Sequence, residues 1–143
     1  MRFLFMLLSL VFADNGCSSA KIDQNAVSFE YSATSRGSYE NIKINKKRVS
    51  IENKRDDATP FTKTCSETYW NSLLKELKPI NVENIPNLKA PSQNRLFDGA
   101  AIARLKIIYN GTTYQTSAFD HGNPPKEIEA LVKEILSISE NIE

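Results

Sequence analysis

The chain has few of the side chains on which metal and redox chemistry depends. Its 143 residues include one histidine, His121, and two cysteines, Cys17 and Cys65. A tetrahedral zinc site made of cysteine and histidine needs four such ligands, so one chain cannot supply it. His121 and Asp120 could contribute to a divalent-ion site, but adjacent residues of an extended segment point in opposite directions. We therefore predict no metal and no cofactor.

The sequence also lacks an excess of charge of either sign. Eighteen basic residues are balanced by seventeen acidic ones, and the formal net charge is +1. Nucleic-acid-binding domains usually carry a clear basic excess, so we expect no nucleic-acid partner. A basic cluster can attract anionic lipid or an acidic partner, or it can protect an edge strand from aggregation. We favour edge protection for the one local cluster, which comprises Lys43, Lys46, Lys47, Arg48, Lys54 and Arg55.

Motifs of common catalytic sites are missing from the sequence. It contains no Gly-x-Ser-x-Gly elbow, no glycine-rich phosphate loop and no Ser-x-x-Lys pair. A nucleophilic pair is formally available as Cys65 and His121, and a thiol next to a helix start can have a lowered pKa. Such a pair needs hydrogen-bond contact and a third, orienting group. We therefore expect a non-enzymatic protein, with a small enzyme using Cys65 or His121 as an alternative.

The longest apolar run lies at the N-terminus and is too short to cross a membrane. Residues 3–13 form an apolar stretch of eleven residues directly after Arg2. A membrane-spanning helix needs about 20 residues, whereas a basic residue followed by a short apolar run is typical of a secretory signal peptide. We predict that residues 1–16 are a signal peptide and that residues 17–25 are a tether.

Two cleavage positions fit this leader. The small residues Val11 and Ala13 match ordinary signal peptidase, which would cut before Asp14. A lipoprotein peptidase would cut before Cys17, which follows a glycine and precedes polar residues, although an acidic residue at position 14 departs from the usual pattern. We predict lipidation of Cys17, which would anchor the protein in a membrane. In the alternative, the protein is soluble in the periplasm or secreted, and Cys17 and Cys65 could form a disulfide.

Alternating apolar residues predict an antiparallel sheet. Residues 26–53 contain three alternating segments and predict a three-stranded meander, followed by a polar loop over 53–64. Residues 101–109 and 112–118 predict two more strands, joined by a type I′ turn at Asn110-Gly111. Apolar residues occur in both registers of the 101–109 strand, which predicts a central position in the sheet.

Two helices complete the predicted fold. Ser66 can cap the first helix, which buries Trp70, and Asn123 can cap the last. The element order is βββ-α-ββ-α with short links between the strands. This order predicts a single α+β domain over 26–143, with an antiparallel sheet of about five strands and two helices packed on one face.

Two connections are the candidate binding loops. The first runs over 80–98 and the second over 119–123. A connection as long as the first is often functional. We expect the two loops to lie at the same end of the sheet, with Asp98, Phe119, Asp120 and His121 as possible binding residues.

Several segments resemble a group of proteins. Gly37-x-Tyr39, residues 96–101, residues 114–122 and the terminal helix are together similar to small uncharacterised envelope proteins of Bacteroidota. The resemblance covers most of the chain after the leader. It implies an envelope lipoprotein, in agreement with the leader, and it implies no particular activity.

These features together predict a non-enzymatic binding protein of unknown ligand in the bacterial cell envelope. A membrane would hold it through the N-terminal lipid anchor, with the domain facing the periplasm, and a protein partner is possible. The more specific alternative is a periplasmic inhibitor or immunity protein against a toxin or lytic enzyme. Small size, export and the lack of catalytic motifs fit both hypotheses.

Overall fold

The alternating segments form one antiparallel sheet in the computed structural model, which describes residues 21–142. Its strands are β1 (Val27–Thr34), β2 (Tyr39–Asn45), β3 (Arg48–Glu52), β4 (Phe61–Thr64), β5 (Ile102–Tyr109), β6 (Thr112–Gln115) and β7 (Phe119–Asp120). Six of them neighbour one another in the order β4-β3-β2-β1-β5-β6. β7 pairs with the start of β5, on the same side as β6.

The predicted meander over 26–53 is confirmed, but the sheet has more strands than the predicted five. β4 and β7 lie in segments predicted as loops. β4 has four exposed residues and β7 has two residues, so neither shows an apolar alternation. β6 ends at Gln115 instead of reaching 118, because Thr116 turns inward and its hydroxyl accepts the backbone N–H of Leu105.

One face of the sheet carries the core. In β1 every second side chain from Val27 to Ala33 is buried, and the residues between them are half-buried. β5 is an interior strand, since it pairs with β1 on one side and with the edge strand β6 on the other. Its second apolar register, represented by Ile102 and Ile108, remains partly exposed on the polar face. The two-sided apolar pattern therefore correctly predicts an interior strand, but β5 lies one place from the edge of the sheet and only one of its faces is buried.

Two helices pack on the apolar face of the sheet. They are α1 (Glu67–Leu77) and α2 (Glu129–Ile142), and both contribute to a single core. The Ser66 hydroxyl accepts the backbone N–H of Tyr69, which confirms the predicted cap of α1. Trp70 is buried with its ring centre 5.9 Å from that of Phe29, which confirms it as a core residue.

The predicted cap of the last helix is wrong. A short 3-10 turn, Lys126–Ile128, precedes α2, and the residue at its N-cap position is Pro125. Asn123 lies before this turn, and its side-chain amide donates to the Ser92 hydroxyl at 2.8 Å. Asn123 therefore joins two loops and does not begin the helix.

The predicted leader lies outside the described residues. This applies to the signal peptide over 1–16, to Cys17 and to the first part of the tether. The end of the tether forms a 3-10 turn, Gln24–Ala26, whose N-terminal cap is Asp23. Over residues 21–142, no helix has the length and apolar character needed to span a bilayer.

Candidate functional site

The two candidate loops contact each other at one end of the sheet. β7, which begins the second loop, pairs with β5 at Ile102, and Ile102 pairs with Thr34 at the end of β1. The first loop contains two 3-10 turns, Val82–Asn87 and Asn94–Phe97. The second of these turns contacts β7. The loops therefore meet beyond the C-terminal end of β1.

A buried carboxylate joins the two loops. Asp120 is 2% exposed, and it accepts hydrogen bonds from the Ser92 hydroxyl at 2.6 Å and the Asn94 backbone N–H at 2.8 Å. Arg95 donates twice to it, from the backbone N–H at 3.1 Å and from the guanidinium at 3.0 Å. Burial alone would raise the pKa of Asp120, but hydrogen bonds from Ser92, Arg95 and Asn94 outweigh it and lower that pKa far below its ordinary value. Asp120 is therefore ionised and holds the first loop in place.

The segment held by Asp120 is a closed turn. The Gly99 backbone N–H donates to the Asn94 carbonyl at 2.9 Å, and Asp98 has a left-handed backbone with φ of 57°. A Cβ atom at position 99 would lie 3.2 Å from both the Cβ and the carbonyl oxygen of Asn94. Glycine at this position therefore allows the close approach that closes the turn.

Two large apolar side chains extend from this turn into solvent. Leu96 is 63% exposed and Phe97 is 84% exposed. Neither was predicted from the sequence as a site residue, although two large apolar residues just before Asp98-Gly99 are unusual in a polar turn. We name residues 94–99 the docking turn. Exposed apolar side chains on a fixed backbone are typical of surfaces that bind another protein.

The remaining predicted binding-loop residues have separate roles. Phe119 is completely buried, and its ring centre lies 6.3 Å from that of Tyr31, so it belongs to the core. Asp98 is exposed, and its carboxylate lies 3.5 Å from the Arg36 guanidinium. The structure thus brings Asp98 and Asp120 into one region, where only Asp98 faces solvent.

His121 is exposed and contacts a buried phenol. Its Nδ1 atom lies 2.8 Å from the Tyr31 hydroxyl. Burial, aided by the negative charge of Glu40, raises the pKa of Tyr31 well above its ordinary value. The phenol is therefore protonated at neutral pH, and this contact holds the ring of His121, in the second loop, against β1.

A basic cleft lies next to the docking turn. Its volume is about 430 Å³, and it is lined by Thr34, Ser35, Arg36, Gly37, Arg55, Arg95, Asp98, Ala100 and Ile102. The Arg95 guanidinium is already engaged, because it donates to Asp120 and, at 2.7 Å, to the Ser92 carbonyl. Arg55 is exposed and makes no ion pair within residues 21–142.

The basic cluster of the sequence does not form one patch. Lys46 and Lys47 lie in the turn between β2 and β3, whereas Lys54 and Arg55 follow the opposite end of β3. β3 has β4 as its outer neighbour, so protection of an edge strand does not explain these charges. Of the six residues, Arg55 lines the basic cleft.

The structure does not bring Cys65 and His121 together. Cys65 donates its backbone N–H to Lys47, at the sheet end where β1 begins. His121 donates its backbone N–H to Ala101, at the end where β1 finishes. The two ends are about 20 Å apart at the usual rise of a strand. Cys65 is also buried, and burial raises the pKa of its thiol.

The site therefore combines a fixed apolar turn with a basic cleft, an arrangement suited to recognition. Across the part of the chain that the structure describes, no three histidine, cysteine or acidic side chains are grouped closely enough to hold a metal ion.

Comparison of the chain with protein-family models found no match, and comparison with curated proteins found none either.

Proposed function

We propose that this chain is a non-enzymatic binding protein of the bacterial cell envelope and that its docking turn binds a protein partner. The observation that supports the proposal is the buried, ionised Asp120, which holds a turn whose apolar tip is exposed. Phe97 and Leu96 contribute little to the core, so their exposure needs another explanation. A preorganised turn loses little conformational entropy on binding, and a large apolar side chain is an effective anchor in a partner's pocket.

Residues at the N-terminus suggest how the protein is held. The apolar run over 3–13 and the position of Cys17 favour a signal peptide and a lipid anchor, and the resemblance to envelope proteins agrees. The tether enters the sheet at Val27, and the docking turn lies beyond Thr34, about 23 Å away along β1. An anchor at Cys17 would therefore leave the docking turn on the side facing the periplasm. This orientation favours a protein partner over the anchoring membrane.

An inhibitor or immunity protein is the second candidate. The docking turn favours it, because a rigid exposed loop can enter the preformed cleft of a toxin or lytic enzyme with little rearrangement. A small enzyme using Cys65 or His121 has less support, since these residues lie at opposite ends of the sheet.

Site-specific photocrosslinking in the native host tests the proposal. A benzophenone amino acid would replace Phe97, and a matched variant would carry it at Phe61, a partly exposed phenylalanine on β4. We expect one discrete protein adduct from position 97, none of the same mass from position 61, and loss of the adduct when Leu96→Ser is added. Absence of a protein adduct at position 97, or the same adduct from both positions, would contradict a docking role. If the captured protein is a hydrolase, inhibition by this chain would support the second candidate.

A further inference from the structure

The basic cleft has cations available for a partner. Arg36 pairs with Asp98 at 3.5 Å, but their side chains are 90% and 70% exposed, and an exposed pair of this kind contributes little stability. Arg55 has no acidic counterpart within residues 21–142. Two guanidinium groups at the cleft can therefore bind an oxyanion without breaking the network of Asp120.

Apolar groups lie beside these cations. Ala100 and the partly exposed Ile102 line the same cleft. Leu96 and Phe97 belong to the docking turn, whose residues Arg95 and Asp98 are also part of the cleft wall. Inorganic phosphate would use the cations alone. A peptide segment that carries both carboxylates and apolar side chains would use both kinds of group.

We propose that the basic cleft binds a carboxylate on an acidic, partly apolar segment of the partner protein. Arg55 and Arg36 donate hydrogen bonds to the carboxylate, for which the planar guanidinium is well suited. Leu96 and Phe97 contact apolar side chains next to it. The inference rests on the proposed docking function and adds the chemical character of the partner.

Asp98 acts as an internal competitor in this arrangement. Its carboxylate occupies the Arg36 guanidinium before the partner binds, and binding exchanges one exposed ion pair for another. The variant Asp98→Asn would keep the turn, because asparagine tolerates the left-handed backbone at this position. This substitution should therefore strengthen the binding of an acidic segment, whereas a merely structural role of Asp98 would predict no such gain.

Fluorescence anisotropy with defined peptides tests the inference. The protein is purified in detergent from the envelope fraction and titrated at low salt into labelled acetyl-Gly-Glu-Leu-Glu-Gly-amide, the glutamate peptide. A second titration uses the labelled analogue in which glutamine replaces both glutamates. In a third, inorganic phosphate competes with the labelled glutamate peptide. We expect the glutamate peptide to bind and the glutamine peptide to bind at least about fivefold more weakly. Arg55→Gln and Arg36→Gln should each weaken binding about three- to tenfold, and Asp98→Asn should strengthen it about twofold. The control variant Arg48→Gln, which removes an exposed arginine at the other end of β3, should leave the affinity for the glutamate peptide unchanged.

The outcomes separate this inference from the proposed function. Equal binding of the two peptides, or an equal loss with Arg48→Gln and Arg55→Gln, would overturn the inference. If inorganic phosphate displaces the labelled glutamate peptide as effectively as the unlabelled glutamate peptide does, this result would overturn the inference in favour of a phosphate site. In each of these cases a surviving protein adduct at position 97 would leave the docking function intact. If the adduct at position 97 and the binding of the glutamate peptide are both absent, the inference and the proposed function are both overturned.

Discussion

At the residue scale, Asp120 determines the shape of the candidate site. Four hydrogen bonds reach its carboxylate from Ser92, Asn94 and Arg95. We expect Asp120→Asn to loosen the docking turn and lower the melting temperature, because an amide offers one acceptor oxygen and places an N–H group against donors. Hydrogen exchange at the Asn94 and Arg95 amides should become faster. Asp98→Asn, in the same turn but exposed, is the control and should leave both amides protected.

The ionisation of Asp120 also predicts how stability depends on pH. Its pKa in the folded protein lies below that of an unfolded chain, about 3.9, so the carboxylate stabilises the fold above that pH. This stabilisation is lost as the pH falls below about 4 toward the folded pKa. Between pH 6 and about pH 2, the melting temperature measured by thermal unfolding should fall less for Asp120→Asn than for the natural chain. Parallel curves for the two proteins would contradict the role of the buried charge.

At the element scale, local interactions explain which predictions are confirmed. The Ser66 cap, the core position of Trp70 and the meander all follow from patterns within a few residues. Asn110 and Gly111 have φ of 49° and 80°, as a type I′ turn requires. β4 and β7 could not be predicted, because their backbones pair with β3 and β5 without an apolar alternation of their own. The loop contact at Asp120 depends on residues about 25 positions apart in the chain, which no local pattern shows.

The hairpin turn between β5 and β6 gives a prediction about stability. Gly111 has φ of +80°, whereas Gly37, in the β1–β2 connection, lies outside the left-handed region and has no heavy atom within 4 Å of an added Cβ. Gly111→Ala should therefore lower the free energy of unfolding by about 1–2 kcal/mol. Gly37→Ala should change it little. Chemical denaturation of both variants measures the difference, and equal stabilities would show that the turn tolerates an alanine.

At the scale of the whole molecule, the predicted anchor determines which surfaces a partner can reach. We expect the protein in the native membrane fraction to begin at a triacylated Cys17 and to leave that fraction when Cys17 is replaced by serine. Intact mass spectrometry measures the first property and fractionation the second. A soluble chain that begins at Asp14 and lacks two hydrogens would contradict the anchor and indicate a disulfide between Cys17 and Cys65.

The direction of β1 then predicts the orientation of the domain. Ser28, near the start of β1, pairs with Asn45, so the turn that carries Lys46 and Lys47 lies at the end where the tether enters. An anchor there would place these two lysines near the membrane, where they could attract anionic lipid. The docking turn would lie about 20–25 Å further out, beyond the other end of the strand.

Energy transfer from the domain to an acceptor-labelled lipid measures this orientation. With Cys65 replaced by serine in the lipidated protein, a dye is attached through Lys46→Cys or, in a second variant, through Phe97→Cys. Transfer should be stronger from position 46, because that dye lies on the membrane side of the sheet. Anionic lipid in the membrane should increase the difference in energy transfer between positions 46 and 97. The variant Lys47→Gln should make this effect of anionic lipid smaller. Equal transfer from both positions would show that the tether lets the domain turn freely, so that the docking turn would face the membrane as often as the periplasm.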